Sequence, residues 1–333
     1  MVANNNSNRD SIYGLFLTFF LLISSIFFTA NNEITKTIFV IEKGMSLNAV
    51  TNLLYEKDII HNKSFFKYRV YFQGLSDKIP VGTFSVEGKV STKDIIHTIF
   101  KKGPIRIRLT IPEGSSSSQI FLNANYLLER YDDYNQLFTD PLFISEFNIE
   151  ASSLEGYLFP DTYYFFKDSS SREILSIMIN EFWNNFDKTF IDRTNELGFT
   201  VHEVVTLASI IEGEALLDHE RETISSVYHN RLKKRMKLQA DPTIQYLLPG
   251  APKALSIRDL KRVSPYNTYL NYGLPPGPIN NPGFESIRAA LYPSETNYLY
   301  FVAQGDGSHV FTTNQKDHLE AKRLYKKYKR ENR

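Results

Sequence analysis

The chain contains no cysteine. Disulfides, zinc–thiolate clusters and thiolate nucleophiles are therefore excluded, although the compartment is left open. Net charge is nearly absent as well, at +1 over 333 residues. That removes any global electrostatic case for nucleic acid as a partner. Glycine patterns that cradle phosphate, of the Walker or dinucleotide kind, do not occur. The "GDGS" at 305–308 reads instead as a hairpin turn. No Gly-x-Ser-x-Gly elbow is present, and Ser209 has no histidine at a suitable offset, so it reads as a packing residue. Metal ligands are equally scarce. In "HEVVT", from His202, Thr206 stands where a zinc helix needs its second histidine, and His309 and His318 are isolated. Neither a metal nor a cofactor is expected.

Charge is missing locally too. From Ser11 to Asn32 the chain reads "SIYGLFLTFFLLISSIFFTANN", with no ionisable residue of either sign. Roughly 20 apolar residues cross a bilayer's hydrocarbon, and residues 11–30 meet that length. The rival reading is a cleaved signal peptide. Against it, "FTANN" is a poor cleavage site and the run exceeds an h-region of about 7–15 residues. A retained anchor is expected, with residues 1–10 as a short cytoplasmic head and the rest of the chain outside the inner membrane.

What remains is ordinary folded composition, 42% hydrophobic and 23% charged, at a length that suggests two domains. Ile38–Ile41 is a β-type run, Lys43-Gly44 a turn and Ser46 a helix cap. A second helix is predicted over about 63–73, a strand in "PVGTFSVEG", and a capped helix from Ser91 to a stop at Gly103. Residues 36–105 thus form a small α+β module. "IRIRLTIPEG" alternates as a strand, and 106–333 reads as one larger α+β domain with helices over 171–196 and 200–236. A hairpin follows, formed by "NYLYFVA" and "HVFTT", and then a basic amphipathic helix from Lys316 that reads as a solvated face.

With metals, thiols and phosphate loops set aside, carboxylates carry the remaining chemistry. "LASIIEGEALLDHE" places Glu212 at the end of an apolar helical run. At about 100° per residue Glu212 shares a face with Val204, Ala208 and Ala215, while Glu214 lies about 200° away. The two are therefore not a dyad. Burial disfavours the charged form of a carboxyl, and a carboxyl that keeps its proton near neutrality can act as a general acid. The other reading is that Glu212 is satisfied by a buried partner, an arginine or the backbone, and does no chemistry. Residues 264–283, "SPYNTYLNYGLPPGPINNPG", are a 20-residue stretch rich in proline, glycine, amides and tyrosine. A loop of that length is usually functional, and its surface chemistry suits a sugar groove. Alternatively it is a covering loop packed by its own aromatics.

These segments, with "LEGYLFPDTY", "RLKKRMKLQADPTIQY" and "YLYFVAQGDGSHVFTTN", resemble the endolytic murein transglycosylases, the YceG-like family. The resemblance runs from about residue 38 onward and includes the single N-terminal span. It implies that 36–105 is a LysM-like module and 106–333 a YceG-like catalytic domain. It also implies cleavage of the β-1,4 bond between N-acetylmuramic acid and N-acetylglucosamine in nascent glycan strands, leaving 1,6-anhydromuramic ends and terminating strand elongation. Glu212 matches the family's catalytic acid. It would protonate the leaving oxygen and then take the proton of the muramic C6 hydroxyl as that oxygen attacks C1. One carboxyl used twice needs no second acid, unlike the two-carboxylate glycosidases. By the same resemblance Glu155, Gln239, Asp241, Thr243, Tyr266, Asn267 and Asn314 line or brace the substrate groove, with His309 nearby. Each also has a plain structural reading, such as a turn start for Asp241 or a pin for the Pro-rich loop in the case of Tyr266 and Asn267. The implied partners are peptidoglycan strands and the synthases that make them. One departure stands out: the family's usual lysine between the two glutamates is Gly213 here, which removes a positive charge beside the site. A non-catalytic glycan-binding scaffold is the alternative from another class. Hydrolysis, with Glu155 as a second carboxylate, is a third reading.

Overall fold

The computed structural model describes residues 33–132, 134–250 and 253–331. The segment predicted to span a membrane, 11–30, lies outside them. Among the described residues no helix is long and apolar enough to cross a bilayer. The fold is mixed α+β, in two compact units. One takes residues up to Ile107 with Phe165–Asp168, and the other takes Arg108–Tyr164 and Ser169 onward.

In the first unit, β1 (Glu33–Ile41) alternates buried and exposed positions at its C-terminal end. Ser46 accepts a bond from the Ala49 N–H to start α1 (Leu47–Glu56), and Asn62 does the same for Phe65 at α2 (Lys63–Phe72). β2 (Gly82–Lys89) pairs antiparallel with β1, with Phe84 opposite Phe39 and their rings stacked at 5.4 Å. The Ser91–Asp94 capping box opens α3 (Thr92–His97), which continues as a π-helix over Thr98–Lys102. Gly103 ends it at φ +79°, a conformation that favours glycine. Phe39, Ile41, Leu54, Phe66, Phe84, Ile95 and Ile99 close one core.

Beyond it, β3 (Arg106–Thr110) and β4 (Thr162–Phe166) form a second two-stranded sheet. Between them lie α4 (Ser117–Leu128), α5 (Tyr134–Phe138) and α6 (Pro141–Ser145). The helices α7 (Ser171–Asn185) and α8 (Lys188–Leu197) lead to α9 (Val201–Glu214). Every residue of α9 from Val204 to Ile211 is buried. A helix that is apolar all round is an interior helix, and α9 packs against α8, α10 (Arg221–Lys233), α11 (Asp241–Gln245) and α13 (Phe284–Leu291).

The helix expected over 200–236 is broken. Ala215 is extended, a short 3-10 turn covers Asp218–Glu220, and α10 then begins. Gly213 stands in the last turn before the break, and no proline follows it. The short α12 (Ile257–Leu260) precedes the irregular stretch 264–283. β5 (Tyr300–Ala303) and β6 (His309–Thr312) pair antiparallel as the expected hairpin, followed by α14 (Gln315–Glu331).

Candidate active site

Glu212 sits in the last turn of α9, and its side chain is only 7% exposed. The apolar enclosure expected around it is not what the structure contains. The break after α9 brings Arg221, at the start of α10, back onto it. Arg221 Nη1 lies 3.2 Å from Glu212 Oε1, and the Gly283 N–H donates to Oε2 at 3.1 Å. Of the two readings left open by the sequence, the buried arginine and backbone partner are present. The physical reason is simple: a carboxylate this enclosed requires compensation, and an arginine with a backbone donor supplies it. Arg221 is itself buried and shared, with Nε 3.1 Å from Asp218 Oδ1 and Nη1 donating to Ser286 Oγ. Asp218 is 81% exposed, so the guanidinium bridges an interior carboxylate and a surface one.

The wall facing Glu212 is backbone. The Gly114 N–H donates to Asn281 O at 2.9 Å, and the Asn281 N–H donates to Ser115 O at 3.0 Å. This two-bond clamp holds residues 113–115 against 281–283. A Cβ on Gly114 would lie 3.4 Å from Glu212 Cγ, and a Cβ on Gly283 would lie 1.9 Å from Glu113 Oε1. Gly283 therefore admits the Glu113 carboxyl to the space its own side chain would take, whereas a Cβ on Gly114 would be in ordinary van der Waals contact with Glu212. Glu113 is the residue that motif reading passed over. Its "PEG" context looks like a turn, and nothing in the sequence brings it to Glu212.

The Pro-rich stretch is fastened from beneath by asparagines. The Asn281 carboxamide accepts from the N–H groups of Gly156 and Leu158 at 3.0 and 2.9 Å, and donates to Ser115 O and Glu155 Oε1. Asn280 donates to the Ser209 carbonyl, and Ser209 Oγ accepts from the Ile279 N–H. Ser209 is thus a pin for the loop.

The other predicted residues divide by exposure. Glu155 is 5% exposed, and its Oε1 accepts from the Ser117 N–H, the Ser117 hydroxyl and Asn281. Loss of water pushes its carboxyl up to about 7 against those three stabilising bonds. Thr243 and Asn267 are fully enclosed. Thr243 bonds to Ala240 O and Thr268, while Asn267 donates to Leu260 O and Arg262 O and accepts from the Tyr269 N–H. Gln239 and Asp241 are exposed, and the Tyr269 hydroxyl donates to Asp241. Tyr266 is half-buried with its ring against Tyr246 at 5.1 Å. Asn314 is exposed and its carboxamide is spent on Asp317, at the start of α14. His309 is bound to Glu220, with Nδ1 2.7 Å from Oε2.

Glu214 points elsewhere, as its helical offset predicts. The Tyr228 hydroxyl donates to it at 2.9 Å, and loss of water raises its carboxyl to about 7. Gly213 packs onto α11: a Cβ there would meet Pro242 Cβ at 2.6 Å. Among the described residues no cluster of His, Cys, Asp and Glu could hold a metal.

A family model described as the YceG-like family matches residues 39–324. The chain belongs to the YceG-like family. It is 36% identical over 302 residues to the endolytic murein transglycosylase of Bacillus subtilis strain 168, covering 86% of this chain and 83% of that protein. It is 27% identical over 317 residues to the endolytic murein transglycosylase of Streptococcus pneumoniae, covering 84% of this chain and 56% of that longer protein. The crystal structure of a yceG-like protein from Listeria monocytogenes matches with a TM-score of 0.61 and 32% identity, over 86% of this chain and 98% of that one.

Proposed function

We propose that this chain is an endolytic lytic transglycosylase of peptidoglycan, cleaving the bond between N-acetylmuramic acid and N-acetylglucosamine and leaving 1,6-anhydromuramic ends. The observation that carries the reading is Glu212, a carboxyl at the end of an interior helix, in a chain that matches the family and its transglycosylases over most of its length. The reaction breaks C1–O4 and forms C1–O6 within the muramic residue. It therefore needs a proton delivered to O4 and a proton removed from the C6 hydroxyl, with no water consumed. Glu212 is the group that exchanges protons with the sugar. Its pairing with Arg221 suits the half of the cycle in which it is ionised and accepts the C6 proton. Asp218 offers Arg221 a second acceptor when Glu212 is neutral.

Gln239, Asp241 and Tyr266 are the groove residues whose exposure lets them touch sugar directly. Glu155, Thr243 and Asn267 act by holding backbone in place, since Glu155 Oε1, the Thr243 hydroxyl and the Asn267 carboxamide are already committed. That commitment also weighs against Glu155 as the water-activating base of a hydrolase. Asn314 is a more distant candidate, acting through the hairpin end. Residues 11–30 anchor the chain in the inner membrane with the two units outside, which recovery of the full chain in carbonate-washed membranes would test. The strand–helix–helix–strand order of β1, α1, α2 and β2 supports reading the first unit as the LysM-like module. The strands' synthases are its expected neighbours.

The deciding experiment incubates the full-length chain with uncrosslinked glycan strands and reads product ends by mass spectrometry. Anhydro ends are expected, and Glu212→Gln should abolish them. Reducing ends would indicate hydrolysis. Strand retention without cleavage would indicate a binding scaffold.

A further inference from the structure

Resting on that reading, we propose that His309 is a positioning residue for the cleavage: through Glu220 it holds Arg221 on Glu212. The contact is double. The His309 N–H donates to Glu220 Oε1 at 2.9 Å, and His309 Nδ1 lies 2.7 Å from Glu220 Oε2. A carboxylate only accepts, so Nδ1 carries the proton of the second bond. Both side chains are buried.

Glu220 is not used as its place in the chain suggests. It stands at the N-cap of α10, where an acidic side chain ordinarily accepts from the first free N–H groups of its helix. Glu220 makes no such bond. Both of its oxygens turn to His309 instead. The next residue is Arg221, whose guanidinium reaches Glu212 Oε1. A helix start without a side-chain cap of its own is fixed by what grips it from outside, and here the grip is the hairpin. The other end of α10 is tied to the run that enters the same hairpin. Asn230 donates to Thr296 O and Tyr298 O, and Arg231 Nε donates to Leu299 O at 2.7 Å. The hairpin turn is fastened too, with the Gln304 N–H on Ser308 O at 2.8 Å and the Ser308 N–H on Asp306. His309 follows directly. So β6 delivers His309 to Glu220, Glu220 sets the first residue of α10, and that residue meets Glu212.

The position of Arg221 matters because Glu212 gains a negative charge as its proton passes to O4. A guanidinium already in place at Oε1 stabilises that charge as it develops, which acts on the transition state and not on binding. A guanidinium free to drift toward Asp218, its exposed second acceptor, does this less well. His309 touches no substrate in this scheme. No bond to it forms or breaks, and its protons stay with it.

The test uses two substitutions that divide the histidine into its parts. His309→Phe keeps a ring against Phe301, whose centroid lies 5.3 Å from that of His309, and removes the Nδ1–H donor. His309→Asn gives up the ring and keeps a donor, since the asparagine Nδ2 falls where Nδ1 stands. Full-length wild type and both variants are assayed on uncrosslinked glycan strands, below the urea transition measured for each. His309→Phe should lose about 10²-fold in kcat, the scale of a small misplacement at a reacting centre, with KM unchanged. Cleavage starts from protonated Glu212, so its rate falls on the alkaline side as that proton is lost. In His309→Phe this fall should move to higher pH, because a carboxyl whose cation has withdrawn keeps its proton longer. The remaining charges nearby, on Asp218, Glu113 and Glu285, are the same in every variant. His309→Asn should recover most of the loss and the wild-type pH profile. The reverse pattern, with the phenylalanine variant active and the asparagine variant deficient, would make His309 a packing residue and overturn the inference. Equal losses in both, or wild-type kcat in both, would overturn it as well. Each of these outcomes leaves the transglycosylase reading standing as long as wild type yields anhydro ends. Wild type yielding none would sink that reading and the inference with it.

Discussion

Glu155 links the site to folding through a single proton. Its carboxyl is held at about 7 in the folded chain against an ordinary 4.5. Between those values the folded state keeps a proton that the unfolded chain has released. The group's contribution is therefore full below pH 4.5 and is lost as pH rises through 7. Glu214, also raised to about 7, acts in the same direction. Glu155→Gln keeps an acceptor for Ser117 and Asn281 and removes the titration. Its stability relative to wild type should rise with pH, reaching at most about 3 kcal/mol by pH 8. Urea unfolding midpoints at pH 5 and pH 8 measure this, and a difference that does not change with pH would count against it. The burial of Glu155 was not visible in the sequence, and although an arginine partner for Glu212 was one of the readings left open, which arginine it is was not. A helical wheel gives the direction of a side chain and not what another helix brings to meet it.

Elements were legible where their signals are local. Ser46 and Ser91 cap the helices they were expected to start, Gly103 stops one, and "QGDGS" turns the hairpin. The break between α9 and α10 was not legible, because Leu216, Leu217 and Asp218 continue a pattern a helix could use. It is this break that returns Arg221 to Glu212. The stretch 264–283 was expected to offer its tyrosines and amides to a sugar, yet its asparagines do the anchoring. Asn281, fully enclosed, satisfies two backbone N–H groups across the chain. Asn281→Ala leaves the Gly156 and Leu158 donors buried without it. Each such loss costs about 1–3 kcal/mol, so a destabilisation of about 2–6 kcal/mol is expected in urea titration. Cleavage measured well below the unfolding transition should fall as well, since the same residue's backbone clamps Gly114 and Ser115. Wild-type stability in that variant would mean the two donors have other partners.

At the scale of the whole molecule, each compact unit buries its own apolar set. Phe39, Phe66 and Phe84 are interior to the first, and Ile179, Phe182 and Val204 to the second. Separate cores predict separable unfolding, since cooperativity follows shared burial. The chain carries its own reporter for this, because its single tryptophan is Trp183, on α7 in the second unit. Phe84→Ala removes a fully buried ring stacked on Phe39, a change that costs about 3–5 kcal/mol. In that variant far-UV circular dichroism should show an early transition, while tryptophan fluorescence keeps its wild-type midpoint. Cleavage of strands below the early transition should be unchanged, because every residue assigned to proton transfer belongs to the second unit. If the fluorescence midpoint moves with the dichroism, the two cores unfold as one, and substitutions around Phe84 will register at Glu212.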